Sequence, residues 1–93
     1  MIVSVRAETD VRESFVWYEQ RTVGLGHDFL RCVETKLELI ARSPQLFRQR
    51  FGPHRLAATA RFRYAIYFIW DEPNQIVAIR RVLHFKQHNR FEA

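Results

Sequence analysis

One cysteine, Cys32, is the only thiol among the 93 residues. That excludes an internal disulfide framework and a cysteine-rich zinc site, and it suits a reducing compartment. No apolar run approaches the ~20 residues that a membrane span needs, so no membrane partner is expected. The N-terminus, Met1-Ile2-Val3-Ser4-Val5-Arg6, has no basic region leading into a long apolar one. No signal peptide is read there, and a cytoplasmic location is expected. There is no glycine-rich phosphate loop, because Gly24-Leu25-Gly26 opens a helix that no strand precedes. The four histidines, His27, His54, His84 and His88, have no paired ligand spacing, so neither a metal nor a cofactor is expected. No serine or cysteine sits in a recognisable nucleophile setting, and Cys32 reads as a small buried hydrophobe. Acids are scarce after residue 40, where only Asp71, Glu72 and Glu92 remain.

What is present is apolar and cationic. A composition of 47% hydrophobic and 14% aromatic residues is too apolar for a disordered tail. A chain of this length reads as one domain, residues 1–93, able to bury only about 60–65% of its unfolded surface. Fifteen Lys+Arg against ten Asp+Glu leave a net charge of +5. Thirteen of the fifteen cations are arginine, which forks onto carboxylates and phosphates. From Arg42 to Arg90 ten cations face two acids. An anionic partner is the natural expectation, either a nucleic acid or an acidic protein segment.

The period of the apolar residues orders the elements. Ile2 to Val5 reads as a short strand, and Ser4 is placed to cap the helix after it. Val11, Phe15, Tyr18 and Thr22 share one face of that helix, over residues 6–22, with Ala7 and Ser14 near the same stripe. Gly24 and Gly26 suit the left-handed conformation that ends a helix. Phe29, Leu30, Val33, Leu37 and Ile40 form the stripe of a second helix, His27 to Arg42, stopped by Ser43-Pro44. So short a loop requires an antiparallel pair. After an irregular segment around Gly52-Pro53, residues 54–60 read as a strand. Phe62 to Trp70 alternate as the clearest strand, Asp71-Glu72-Pro73-Asn74 turns, and Gln75 to Phe85 return. The order β-α-α-β-β-β predicts an α+β fold, a two-helix antiparallel hairpin on one face of a small, mainly antiparallel sheet. The other face is then open and carries most of the arginines.

The chemistry on offer lies in Arg55, Arg61, Arg63, Arg80, Arg81, His84, Lys86, His88 and Arg90. Such a set could cleave RNA without a metal, with arginines on the phosphate and a histidine or lysine moving protons. The plainer reading makes them solvated sheet residues, with Arg81 and Arg63 bonding the acids of the two helices. Taken singly the arginines favour the plainer reading, and taken as a cluster they favour binding. His84 divides evenly between a satisfied strand-end histidine and a functional one.

Several segments also resemble one family. Ala7-Glu8-Thr9-Asp10-Val11, Trp17-Tyr18-Glu19, and Gly24-Leu25-Gly26 with Phe29 resemble the first half of the RelE/ParE superfamily of toxins. Arg61-Phe62-Arg63-Tyr64-Ala65-Ile66-Tyr67-Phe68 resembles its Arg-Phe-Pro-Tyr strand, with Arg63 where proline is usual. Ile79-Arg80-Arg81-Val82-Leu83-His84 is similar to its last strand, and Arg-Val-Leu-His there is typical of the ParE branch. The resemblance implies the toxin of a type II toxin–antitoxin module, with a plasmid-stabilising and growth-inhibiting role. The implied partner is a cognate antitoxin whose acidic C-terminal segment wraps the basic face. ParE-like members inhibit DNA gyrase without catalytic residues, whereas RelE-like members cut mRNA on the ribosome. The dense lysine set and C-terminal tyrosine of many RelE-like nucleases are missing, so the ParE branch, and no enzyme activity, is the closer expectation. Under the nuclease alternative the catalytic candidates are His84, Arg81 and Arg61. For binding of target or antitoxin they are Arg55, Arg61, Arg63, Arg80, Arg81, Lys86 and Arg90.

Overall fold

A computed structural model of the chain describes residues 1–87. Strand β1 (Ile2–Val3) ends at Ser4, which does cap helix α1 (Val5–Arg21). The Ser4 hydroxyl accepts the Ala7 N–H at 3.1 Å and donates to the Arg80 carbonyl at 2.8 Å. One side chain therefore ties the helix start to a distant strand.

The two glycines after α1 have different jobs. Gly24 takes the left-handed conformation, φ 91°, and opens helix α2 (Leu25–Arg42). Gly26, contrary to the expectation of a second helix-ending glycine, lies inside α2 and is buried. A Cβ there would stand 2.7 Å from the Phe15 carbonyl oxygen. Only a residue without a side chain lets the helices approach so closely. Glu19 fastens the connection, its two carboxylate oxygens accepting the N–H groups of Gly24 at 2.8 Å and Gly26 at 2.9 Å. Along α2, Phe29, Val33 and Ile40 are buried, as their spacing predicts. Pro44 then closes the helix and starts a single 3-10 turn, Pro44–Leu46.

The remaining chain forms β2 (Gln49–Phe51), β3 (His54–Ala58), β4 (Tyr64–Asp71) and β5 (Ile76–His84), and then a 3-10 turn, Phe85–Gln87. The five strands lie in the order β1-β5-β4-β3-β2, with β1 parallel to β5 and the other pairs antiparallel. The fold is α+β, a helical hairpin on one face of a mixed sheet, with β2 added to the predicted order. β2 escapes the sequence because it is three residues long and two of them, Gln49 and Arg50, are exposed and polar.

The clearest predicted strand also begins two residues later than its alternation indicates. Phe62 and Arg63 take positive φ, 70° and 56°, and belong to a turn. The β3–β4 hairpin closes on Thr59 and Tyr64. The Thr59 N–H donates to the Tyr64 carbonyl at 2.9 Å, and the Thr59 hydroxyl accepts the Tyr64 N–H at 3.0 Å. Phe62 is held in its left-handed conformation by ring contacts to Tyr18 (4.9 Å) and Phe29 (5.7 Å). Proline, the usual residue of the resembling motif at position 63, cannot adopt the φ found here.

Ile66, Phe68, Ile79 and Val82 turn toward the helices and join Phe29, Val33 and Ile40 in the main core. The opposite face departs from the expected open arginine surface. Ala65, Tyr67 and Leu83 are buried on it, with Phe51 and Leu56 packed against them.

Candidate functional site

Three of the candidate residues, Arg80, Arg81 and His84, lie on β5. Tyr67 pairs with Arg81 while Phe68 pairs with Ile79, so Arg80 is an extra residue bulged out of the ladder. Arg80 is exposed there. The irregularity re-aims Arg81 toward α1. Its Nε donates to Asp10 Oδ2 at 2.8 Å and its Nη2 to Asp10 Oδ1 at 3.1 Å. Asp10 Oδ2 also accepts the Val82 N–H at 2.9 Å. Both side chains are about one-tenth exposed, 12% for Arg81 and 10% for Asp10. The hydrogen bond to the carboxylate raises the Arg81 pKa further above its ordinary value, with burial opposing. Arg81 is thus a forked internal pair joining β5 to α1, the plainer of the two roles its sequence allowed.

His84 closes β5. It lies opposite Tyr64 in the ladder, their rings edge to face at 5.4 Å. Its Nδ1 accepts the Lys86 N–H at 3.0 Å, which assigns the proton of the neutral ring to Nε2. Burial lowers the His84 pKa, and the neighbouring charges of Lys86 and Arg63 lower it further. A neutral ring whose only lone pair is taken by a backbone donor offers no free base at either nitrogen.

The other cations separate. Arg61 and Arg63 are exposed on the β3–β4 turn, and the Arg61 guanidinium sits 5.0 Å from the Phe62 ring centre. The Arg63 carbonyl accepts the Phe85 N–H at 2.9 Å, which brings this turn beside His84 and Lys86. Arg55 is consumed locally, donating to the Phe47 carbonyl and lying 5.3 Å from the Trp70 ring centre. Arg90 and His88 lie outside the described residues. The structure therefore brings together Arg63, His84 and Lys86, and it does not bring Arg81 into that group as a free cation.

A cleft of about 490 Å³ runs between α1 and the end of β5. Asp10, Glu13, Ser14, Trp17 and Tyr18 form its helical wall, and Tyr64, His84 and Lys86 form the strand side. The Tyr64 hydroxyl donates to the Ser14 hydroxyl at 3.0 Å across it. Burial, and then the hydrogen bond with Tyr64, raise the Tyr18 pKa. Trp17 is half exposed, with the Arg21 guanidinium 3.4 Å from its ring centre. Sequence reasoning did not place Glu13, Ser14 and Trp17 in a site. Ser14 reads beside the apolar stripe of that helix and Trp17 as one of its aromatics, so their period marks packing and not a site. Among the described residues no group of three His, Cys, Asp or Glu side chains is placed to hold a metal. The arrangement has hydrogen-bond donors, aromatic walls and exposed cations at its mouth, and it suits binding.

A family model described as the ParE toxin of the type II toxin–antitoxin system, parDE, matches residues 1–88. No curated protein matches the chain.

Proposed function

Since the chain belongs to the ParE family of type II toxins, whose members have a cognate antitoxin, we propose that it inhibits DNA gyrase by binding and without catalysis. The end of the sheet carrying Arg63, His84 and Lys86, with the adjoining α1 cleft, would form the binding surface. It would act in the cytoplasm, as one toxin domain, and its module would stabilise a plasmid that carries it. Antitoxin would neutralise it through an acidic C-terminal segment laid on the basic side, where Arg61, Arg63 and Lys86 are exposed.

The observation that carries this reading is the state of the nuclease candidates. Arg81 is spent on Asp10, and the His84 Nδ1 is spent on the Lys86 N–H. Arg61 and Arg81 stand on different structures, an exposed turn and a buried ion pair. A phosphate-cleaving site needs its cation and its proton-transfer group free and convergent.

The test is a titration of purified toxin, freed of antitoxin, into gyrase supercoiling and DNA-cleavage reactions. Loss of supercoiling with accumulated cleaved DNA is the expected result. Intact supercoiling at saturating, folded toxin overturns the proposal. In that event codon-linked mRNA cleavage on ribosomes, and its loss in His84→Ala, becomes the reading to pursue.

A further inference from the structure

From Leu39 to Trp70 the sequence contains no acid and six arginines. The fold sorts these six by what each touches. Arg55 is tied to the Phe47 carbonyl and Trp70, while Arg61 and Arg63 stand on the β3–β4 turn. The other three lie on the path from α2 to the outer edge of the sheet. Arg42 ends α2, Arg48 directly precedes β2, and Arg50 is within it. All three are exposed, and none forms an ion pair among the described residues. Among the described residues β2 is the last strand of the sheet and pairs only with β3. No acid follows them in sequence before Asp71, and the nearest one before them is Glu38, one helical turn ahead of Arg42.

We infer that this edge, centred on Arg48 and Arg50, binds the phosphate backbone of duplex DNA independently of sequence. Three features support this site and ligand. The cations are all arginine, whose planar fork matches a phosphate and stays charged at any physiological pH. Arg50 is the extra residue of a bulge in the β2–β3 ladder, between Gln49 and Phe51, which takes it out of the pairing with β3. Residues 48–50 expose only polar side chains and Leu46 is the one exposed large apolar residue between Arg42 and Arg48, whereas a protein interface centres on a cluster of aromatic or apolar anchors around its arginines. The inference does not depend on gyrase being the target. It gives the toxin its own hold on DNA, separate from the α1 cleft and from His84.

Fluorescence anisotropy of a labelled mixed-sequence duplex with the full chain tests it. Two or three neutralised phosphates give a slope of log affinity on log salt of about −2 to −3. R48E/R50E is expected to weaken binding roughly tenfold or more at low salt, and R48Q/R50Q by less. R6E/R80E changes net charge by the same amount at exposed positions toward the other edge, and it is expected to bind like wild type. Equal weakening in both charge-reversal variants would overturn the site, since net charge alone would then explain the binding. Absence of duplex binding, with a polyglutamate peptide bound through Arg48 and Arg50 instead, would overturn the ligand and make the edge an acidic-protein surface.

Discussion

Asp10 accepts three donors at once, two from Arg81 and one from the Val82 backbone. Asp10→Ala removes all three acceptor contacts and leaves a guanidinium that is 12% exposed without its counter-charge. The cost is expected to be about 2–4 kcal/mol in unfolding free energy by urea titration. Replacing the pair with apolar residues, Asp10→Leu with Arg81→Met, is expected to recover at least half of that, because no charge is then stranded. Retention of full stability in Asp10→Ala would show that the pair is solvated and that Arg81 is available to a ligand. Loss of toxicity in Arg81→Ala counts as a binding effect only where the variant's unfolding free energy matches wild type. The sequence offered Arg81 both roles, because either a carboxylate or a phosphate satisfies the same fork. The bulge at Arg80 made the choice by turning Arg81 toward α1.

The helical hairpin shows how one residue type serves two purposes within a single loop. Gly24 has open space where a Cβ would stand but a φ of 91°, whereas Gly26 has an ordinary helical backbone and no space. Gly24→Ala is expected to cost about 1 kcal/mol through left-handed strain. Gly26→Ala is expected to cost about 1–3 kcal/mol, since the Phe15 carbonyl oxygen belongs to the backbone of the facing helix. Thermal unfolding of the two variants ranks them, and a milder effect at Gly26 would mean the helices separate easily. Both helices were legible from their apolar period and from Ser4, Gly24 and Pro44 at their ends. The role of Gly26 was not, because it depends on where Phe15 of the other helix comes to lie. β2 and the turn at Phe62–Arg63 were hidden for related reasons. A three-residue edge strand carries no alternation, and a left-handed Phe62 is sustained by Tyr18 and Phe29, far away in sequence.

At the scale of the whole molecule, charge and acid stability are linked. Glu19 has its pKa lowered, first by the Gly24 N–H and also by the N–H of Gly26 and by His27, against the opposing effect of burial. His84 has its pKa lowered by burial, Lys86 and Arg63. In each case the unfolded chain binds the proton more tightly, so stability is fully present above the unfolded pKa and is lost as pH falls through the folded one. The His84 contribution begins to fade below about pH 6.5 and the Glu19 contribution below about pH 4.3, the ordinary values of the two groups. Unfolding curves across that range are expected to decline in two windows. His84→Gln should flatten the upper window and Glu19→Gln the lower, and an unchanged acid limb in Glu19→Gln would remove it as the cause.

The sequence by itself determined the helical hairpin, the strand count to within one, the early acids and late arginines, and the family to which the chain belongs. These come from local propensities, from period and from composition, which neighbouring residues express without reference to the rest of the chain. Tertiary structure alone decided which cations are free. Asp10 and Arg81 are far apart in the sequence and become a forked pair only when α1 lies beside β5. Arg55 is spent on a carbonyl and a tryptophan ring, while Arg63, Lys86, Arg48 and Arg50 remain exposed. An arginine's availability is set by what the fold brings within hydrogen-bonding distance of it, and no pattern of neighbouring residues records that distance.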